Sequence, residues 1–401
     1  DRSPSRGLGD VYKRQELNMK YCKRCLMPDT RPGIKFMEDG ICAPCHHYEK
    51  QKNTDWDQRM EELKVLCDKY RNCNGPNRYD CAIAVSGGKD STFQVYIMKE
   101  VMKMNPVLLS TACTEWTETG KKNIQNIAET FSCDVISIQP NPRVAKIMAR
   151  KAFEEIGSPT WYLDALIYAF PYRMAVQLGL KLLVYGENVN YTYGGKYDEE
   201  TPSAKFQPLN DVVKPIWDKW LEDGQIKSAE LESAKQMTLE EYEASGLEAI
   251  YLSYFVPWDT HHNYEVAKRW GFRHMEHEYQ REGTLENYNQ IDSISYLLNQ
   301  YLKYPKFAHA SATEMASRWI RAGLVTRNEM IPLVKEHDKK LDQGIVDKFM
   351  EYTGMSVREF WSTMDKWYNT ELFYQDRDGV WHEKFEVGVG IFEELNGNIL
   401  F

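Results

Sequence analysis

Six consecutive residues, Ser86-Gly87-Gly88-Lys89-Asp90-Ser91, carry the strongest chemical signal in this chain. They follow the short apolar run Cys81–Val85 and lead into a segment patterned as a helix from Ser91. Gly87 and Gly88 have no Cβ, so their backbone can come close to a ligand. The N–H groups of such a turn and of the helical turn after it converge on one point, which suits an anion. The spacing G-x-x-x-x-G-K followed by Ser or Thr is absent, which excludes a Walker A loop.

A second constellation lies nearer the N-terminus. Cys22-Lys23-Arg24-Cys25 and Cys42-Ala43-Pro44-Cys45 make C-x2-C-x16-C-x2-C. Two close pairs on separate turns bring four thiolates to the corners of a tetrahedron, the geometry zinc accepts. The segment from Met19 to about Lys50 is too short to bury its own core, and a metal would supply the missing folding energy. The expected group is a closed structural zinc on Cys22, Cys25, Cys42 and Cys45, with an iron–sulfur cluster as the rival. His46 and His47 follow at once but are not needed for a complete ligand set.

The elements that must position these groups follow from hydrophobic pattern. Apolar runs at Cys81–Val85, Val107–Thr111, Val135–Ile138, Leu182–Tyr185 and Ile250–Val256 alternate with amphipathic stretches at Ser91–Met104, Thr119–Phe131, Pro142–Glu155 and Asp164–Leu178. Such alternation predicts an α/β fold, a doubly wound parallel sheet covered on both faces, with ligand beyond the carboxyl ends of the strands. The expected organisation is a four-cysteine segment over 19–50, a linking helix within 51–77, and an α/β domain over 78–283 with an insertion at about 190–248. A helical region over 284–401 completes it. Ser311-Ala312-Thr313-Glu314 and Thr326-Arg327-Asn328-Glu329 both read as capping boxes, with Gly323 placed to stop the first helix. Residues 1–18 are expected to be a foreign or disordered leader, because Asp10–Gln15 back-translates to a transposon-end adapter; Met19 is then the natural start.

Composition narrows the function classes. A 42% apolar, 13% aromatic chain of 401 residues can build a real core. Its formal charge of −9 and pI near 5.6 demote nucleic acid as a partner. No run of 18 apolar residues exists and no secretory signal is visible, so a membrane role is not expected. Nine cysteines without an export signal point to a reducing, cytoplasmic compartment.

Loops that leave the strand ends should hold the remaining chemistry. Tyr185-Gly186-Glu187-Asn188 follows the fourth run; Gly186 leaves room for a nucleotide, and Glu187 either binds magnesium, orients a substrate, or is an acid at a helix start. Asp90, beside the anion loop, is the better magnesium ligand, since that ion needs only one or two carboxylates besides phosphate and water. Trp258, His261 and His262 offer an aromatic platform and imidazoles suited to a sugar, or a plain surface loop. Arg318 and Arg321, three apart on one helix face, either clamp a phosphate or form a solvated basic face, with Arg327 nearby. Cys113 is either a nucleophile or a packed thiol; Cys67 and Cys73 flank the linking helix.

The loop Ser86–Ser91 resembles the S-G-G-x-D-S loop of the PP-loop ATP pyrophosphatases, which cleave ATP to AMP and pyrophosphate while adenylating a substrate oxygen. Within that superfamily the chain resembles the N-acetyl sugar amidotransferases of the WbpG/PseA type. The likeness rests on Met19–Gly33, the second cysteine pair, Ser86–Ser91, Tyr185–Asn188, and Ala316–Gly323 followed by Thr326-Arg327. It runs from Met19 to about Val334, and nothing is carried onto the final segment.

The resemblance implies conversion of a sugar N-acetyl group to an acetamidino group in bacterial surface-polysaccharide biosynthesis, with ATP and Mg2+. It makes Ser86–Ser91 the pyrophosphate cradle, Lys89 the charge that offsets it, and Thr111 and Ala112 the adenine edge. Asn188, Trp258, His261, Arg318 and Arg321 become candidate substrate contacts. No free Cys/His pair marks a glutaminase in the chain, so ammonia is expected from a separate glutaminase and ammonia channel of the HisH/HisF type. The main alternative is a PP-loop tRNA-modifying enzyme, a thiolase or lysidine-type synthetase, which the acidic balance disfavours. A deazaguanine nitrile synthase should carry its cysteines near the C-terminus, and a zinc-ribbon adaptor should have no intact ATP loop.

Overall fold

The computed structural model describes residues 19–195, 199–205 and 217–391. The expected leader, residues 1–18, and part of the insertion lie outside them. Five strands form one parallel sheet: β1 Cys81–Val85, β2 Pro106–Thr111, β3 Val135–Ile138, β4 Leu182–Tyr185 and β5 Glu248–Tyr251. Their order is β3-β2-β1-β4-β5. The chain winds outward from β1 to β3, then returns to the other side of β1 through β4. The switch point therefore lies between β1 and β4, where parallel sheets open a crevice for ligands. β1, β2 and β4 are buried almost throughout, consistent with a sheet covered on both faces.

One apolar core joins the linking helix, Trp56–Tyr70, to one face of the sheet through Leu63, Cys67, Ile83 and Leu108. Cys67 thus sits inside that helix and in the core rather than flanking it. The other face packs Ala82, Leu109, Leu183 and Tyr172. The helix after the anion loop begins at Lys89, two residues before the expected start, and widens into a π-helical turn at Tyr96–Val101.

Three further expectations are corrected. The fifth strand stops at Tyr251, and Leu252–Tyr254 forms a 3-10 turn held by the Ser253 N–H on the Gly186 carbonyl at 2.8 Å. Ser311 does not cap: Ala310 holds the N-cap position, the Ser311 hydroxyl pairs with Thr284, and Glu314 is taken by Arg31 and Lys303. The Thr326/Glu329 capping box does form. The C-terminal region is helical through Val357–Lys366, but an antiparallel hairpin follows, β6 Phe373–Gln375 and β7 Trp381–Glu383. Asp376 makes that turn by accepting the N–H groups of Asp378 and Val380, with Gly379 at φ 82°.

The four-cysteine segment docks on the C-terminal helices. The Leu26 N–H reaches Ser317 Oγ at 3.3 Å, Thr30 Oγ1 donates to the Phe307 carbonyl at 2.6 Å, and Arg327 Nε donates to the Cys25 carbonyl at 3.2 Å. Among the described residues no helix is long and apolar enough to cross a membrane.

Candidate nucleotide site and four-cysteine centre

The anion loop leaves β1 at the switch point. Ser86 N–H donates to Ser91 Oγ at 2.9 Å and Gly88 N–H to Ser86 Oγ at 3.3 Å, which folds the loop on itself. Gly87 sits at φ 93°, and a Cβ there would meet the Ile124 backbone nitrogen at 3.0 Å. Gly88 is the N-cap of the next helix and offers no side chain to its first N–H groups, which stay available to a ligand.

Lys89 is 3% exposed, and its Nζ bridges Asp90 Oδ2 at 2.6 Å and Asn289 Oδ1 at 3.4 Å. The other Asp90 oxygen accepts from Asn263 Nδ2 at 2.9 Å. Asn263 is buried on helix Thr260–Arg269, started by Asp259, which accepts the N–H groups of His261 and His262. Glu187, after β4, accepts from Tyr193 OH at 2.6 Å and Trp258 Nε1 at 2.8 Å. Burial and the nearby Asp90 push its carboxyl above the usual range, although Tyr193, Lys89 and Arg318 pull the other way. Arg318 lies over the Tyr193 ring at 4.2 Å; burial alone would lower its pKa, yet Tyr193, Glu314, Glu187 and Asp90 hold it firmly charged.

Ser86, Asp90, Ser91, Thr111, Gly186 and Glu187 line one cavity of about 270 Å³ at the carboxyl edge of the sheet. The structure departs from the sequence reading at several lining positions. Ala112 lies outside this cavity, and its N–H is used by the Ile138 carbonyl at 2.9 Å. Gly186 makes room for protein: a Cβ would lie 2.7 Å from Gln94 Nε2 and 3.0 Å from the Trp258 ring. Trp258 is 5% exposed with its indole N–H committed to Glu187, so it positions that carboxylate rather than offering an open stacking face.

The Asn188 side chain caps helix Val189–Tyr193 and donates to the Glu199 carbonyl, which uses both ends of its amide. His261 lines a separate cavity of about 420 Å³ with Tyr264, His274, Tyr288 and Trp319. Cys113 is buried, and burial pushes its thiol well up, as for a packed residue. Arg318 and Arg321 share one crevice with Tyr48 and Tyr193, but Arg321 also faces the cysteines.

Sequence reasoning missed Asp292. It lies in the segment before helix Ile294–Phe307 and lines the same cavity. Burial, with Asp90 nearby, pushes its carboxyl up to about 7 against the pull of Ser86 and Lys89. No local spacing marks it; only Gly120, whose absent side chain lets the Asp292 backbone approach, hints at the contact.

The four cysteines form a buried cluster whose sulfurs all lie within 4.8 Å of one another. Cys22 and Cys45 are 3.9 Å apart and Cys25 and Cys42 3.7 Å. A tetrahedron of sulfurs about 2.3 Å from a zinc ion has edges of about 3.8 Å, so the set fits a single ion. A multi-iron cluster would hold the sulfurs farther apart. The Cys25 and Cys42 N–H groups point at Cys22 Sγ at 3.5 and 3.3 Å, and the Met27 N–H at Cys25 Sγ at 3.5 Å, as donors to thiolates do. Arg321 adds positive charge beside Cys45, Cys25 and Cys42. His47 stacks on Tyr191 at 4.0 Å and stays outside the sulfur set.

Comparison with known proteins gives likenesses of three kinds: to a curated relative, to solved structures and to a family model. An uncharacterized protein of Methanocaldococcus jannaschii, MJ1599, is 23% identical over 171 residues, 42% of this chain, and the match spans 60% of that relative's length. Among solved structures, NMN synthetase from Francisella tularensis superposes over 77% of this chain and 96% of its own, with 11% identity and a TM-score of 0.35. The U34-tRNA thiolase NcsA from Methanococcus maripaludis, solved with its [4Fe-4S] cluster, covers 70% and 80% with 12% identity and a TM-score of 0.27. Residues 282–386 match the family described as LPS biosynthesis protein WbpG-like, C-terminal domain. The likeness to WbpG-type proteins read from the sequence is thus matched over residues 282–386, which follow a five-stranded parallel α/β sheet and a four-cysteine cluster.

Proposed function

We propose that this chain is an ATP-dependent, AMP-forming amidotransferase that converts the N-acetyl group of an amino sugar to an acetamidino group. One observation carries the reading. Arg318, within the segment that matches the WbpG-like model, lies over the Tyr193 ring, and Tyr193 donates to Glu187 in the cavity of the Ser86–Ser91 loop, so the two parts of the chain meet beside that cavity.

An amide oxygen is a poor leaving group. Its attack on the α-phosphorus forms an O–P bond, breaks the α–β bridge and releases pyrophosphate. The resulting imidate carries AMP as its leaving group; ammonia adds at carbon, AMP departs, and loss of a proton leaves the amidine. The Ser86–Ser91 loop would hold the departing pyrophosphate with its N–H groups, and Lys89 would offset its charge while fixing Asp90. Asp90 and Glu187, which line one cavity, would hold a divalent cation that, when bound, would neutralise charge at the α-phosphate. Arg318 would hold a second anionic group, such as the diphosphate of a nucleotide-linked sugar. The cysteine centre lies on the C-terminal helices and would serve structure with zinc.

Ammonia must stay unprotonated to attack, which supports delivery by a docked glutaminase with its own channel, of the HisH/HisF type. The test is AMP release with Mg-ATP, ammonium and N-acetylated nucleotide sugars. AMP formation only with tRNA would replace this reading with the RNA-modifying one.

A further inference from the structure

We propose that Asn289 is a positioning residue for Lys89, so that the WbpG-like segment completes the anion loop from outside the parallel sheet. The inference rests on the reading of Lys89 as the charge that offsets the departing pyrophosphate.

Lys89 and Asp90 are paired at 2.6 Å, and an asparagine from a distant segment stands at each end of the pair. Asn263 Nδ2 donates to Asp90 Oδ1 at 2.9 Å, and Lys89 Nζ donates to Asn289 Oδ1 at 3.4 Å across 200 residues of sequence. The Tyr288 ring lies 6.0 Å from the same ammonium, at the outer reach of a cation–π contact. An ammonium is a point charge on a flexible stem, with three donors. Held by Asp90 alone, it could swing about that carboxylate; a second partner fixes where its remaining N–H points. Asn289 is neutral, so it sets the direction without cancelling the charge. Asp90 and Asn289 are the only hydrogen-bond partners of Lys89 among the described residues, which leaves one N–H for an anion.

The turn that carries Asn289 is built to stay in place. Glu286 accepts the N–H groups of Tyr288 and Asn289, both at 2.7 Å. Arg281 reaches Glu286 Oε1 at 3.2 Å and Asn287 Oδ1 at 3.1 Å, and the Arg281 and Glu286 side chains are only 3% and 2% exposed. A buried ion pair is weak support for stability, and its best-attested use is to fix one arrangement. Gln300 Nε2 donates to the Asn289 carbonyl at 3.1 Å and to the Gln290 carbonyl at 3.3 Å. Gln290 is held at φ 50°, a left-handed conformation that costs energy outside glycine. A buried ion pair, a buried amide and a strained residue thus converge on the turn that touches Lys89. Glu286, Asn289, Gln290 and Gln300 all belong to residues 282–386, the WbpG-like match.

The test is a double-mutant cycle on the full chain, with affinity for α,β-methylene ATP and Mg2+ read by calorimetry. Lys89→Met should weaken binding. Asn289→Leu, which keeps the size and loses the acceptor, should weaken it about fivefold or more, with little change in melting temperature. In the Lys89→Met background the same substitution should add less than about twofold, because the group it positions is gone. Gln300→Met, which loosens the turn from its far side, should follow the same pattern and gives a second reading. Full additivity of Asn289→Leu with Lys89→Met, or wild-type affinity in Asn289→Leu, would overturn the positioning role alone. Wild-type affinity in Lys89→Met, or no binding by the wild type, would overturn the pyrophosphate reading of Lys89 and this inference together.

Discussion

Asn263 donates its side-chain amide to Asp90 Oδ1 at 2.9 Å, although 173 residues separate the two in sequence. Asp90 opens the helix after the anion loop, and Asn263 lies on the helix that follows the whole insertion. One side of the carboxylate is thereby fixed by a neutral donor and the other by Lys89. Asn263→Ala should leave the fold intact and lower metal-dependent AMP formation about 10- to 100-fold, the usual effect of losing a partner that orients a ligand. Steady-state kinetics against Mg2+ concentration would check it; unchanged kinetics would remove the orienting role.

Glu314 joins the four-cysteine segment to the C-terminal helices. Arg31 Nη1 and Lys303 Nζ both reach it at 2.9 Å, and its side chain is almost wholly buried. Burial alone would raise its pKa, but Lys303 and Arg31 hold the carboxyl far below the usual range. The sign follows: its stabilising contribution is present above the unfolded-state value of about 4.3 and fades as pH falls. Glu314→Ala leaves two partly buried cations without their anion and should cost about 3–5 kcal/mol. Urea unfolding at neutral pH and at pH 4 would show the variant's deficit shrinking in acid.

Asp164 carries the opposite sign. It is buried under Tyr296 and Thr160, and burial raises its carboxyl from 3.8 to about 6 against those two hydrogen bonds. The raised value favours the protonated folded form, so its contribution is full below pH 3.8 and is lost as pH rises through about 6. Asp164→Asn should flatten the pH dependence of the melting temperature across that window. A parallel pH profile in wild type and variant would contradict the assignment.

Cys22→Ser removes one corner of the sulfur tetrahedron. The segment's own apolar cluster is little more than the cysteines, Met27 and Phe36, so it depends on the metal for its shape. Metal analysis of wild type should give one zinc per chain, and the variant should bind less and melt earlier. Iron with sulfide in the wild type would replace zinc by a cluster, and unchanged zinc in the variant would remove the four-thiolate site.

The parts of this protein that were legible in its sequence are those encoded locally. Ser86–Ser91 sits between strand and helix because its glycines and the flanking apolar run specify that turn, and the cysteine spacing specified its cluster. Strands β3 and β4 fell where the short apolar runs placed them. What was not legible depends on tertiary contact. Ser311 looks like a cap until Thr284 takes its hydroxyl, and Trp258 looks like an open platform until Glu187 takes its indole. Asn188 spends its amide on a local helix start. Asp292 and Asn263 reach the site only because distant segments pack beside the loop, and no spacing rule connects them to it.

The central claim is amide activation by ATP, and one coupled assay tests it most directly. The protein would be incubated with Mg-ATP, ammonium and a panel of N-acetylated nucleotide sugars, with AMP and sugar mass followed together. The account predicts AMP release that depends on the sugar, with a product lighter by about one mass unit as oxygen gives way to N–H. AMP release without any sugar mass change, or release that requires tRNA, would contradict it.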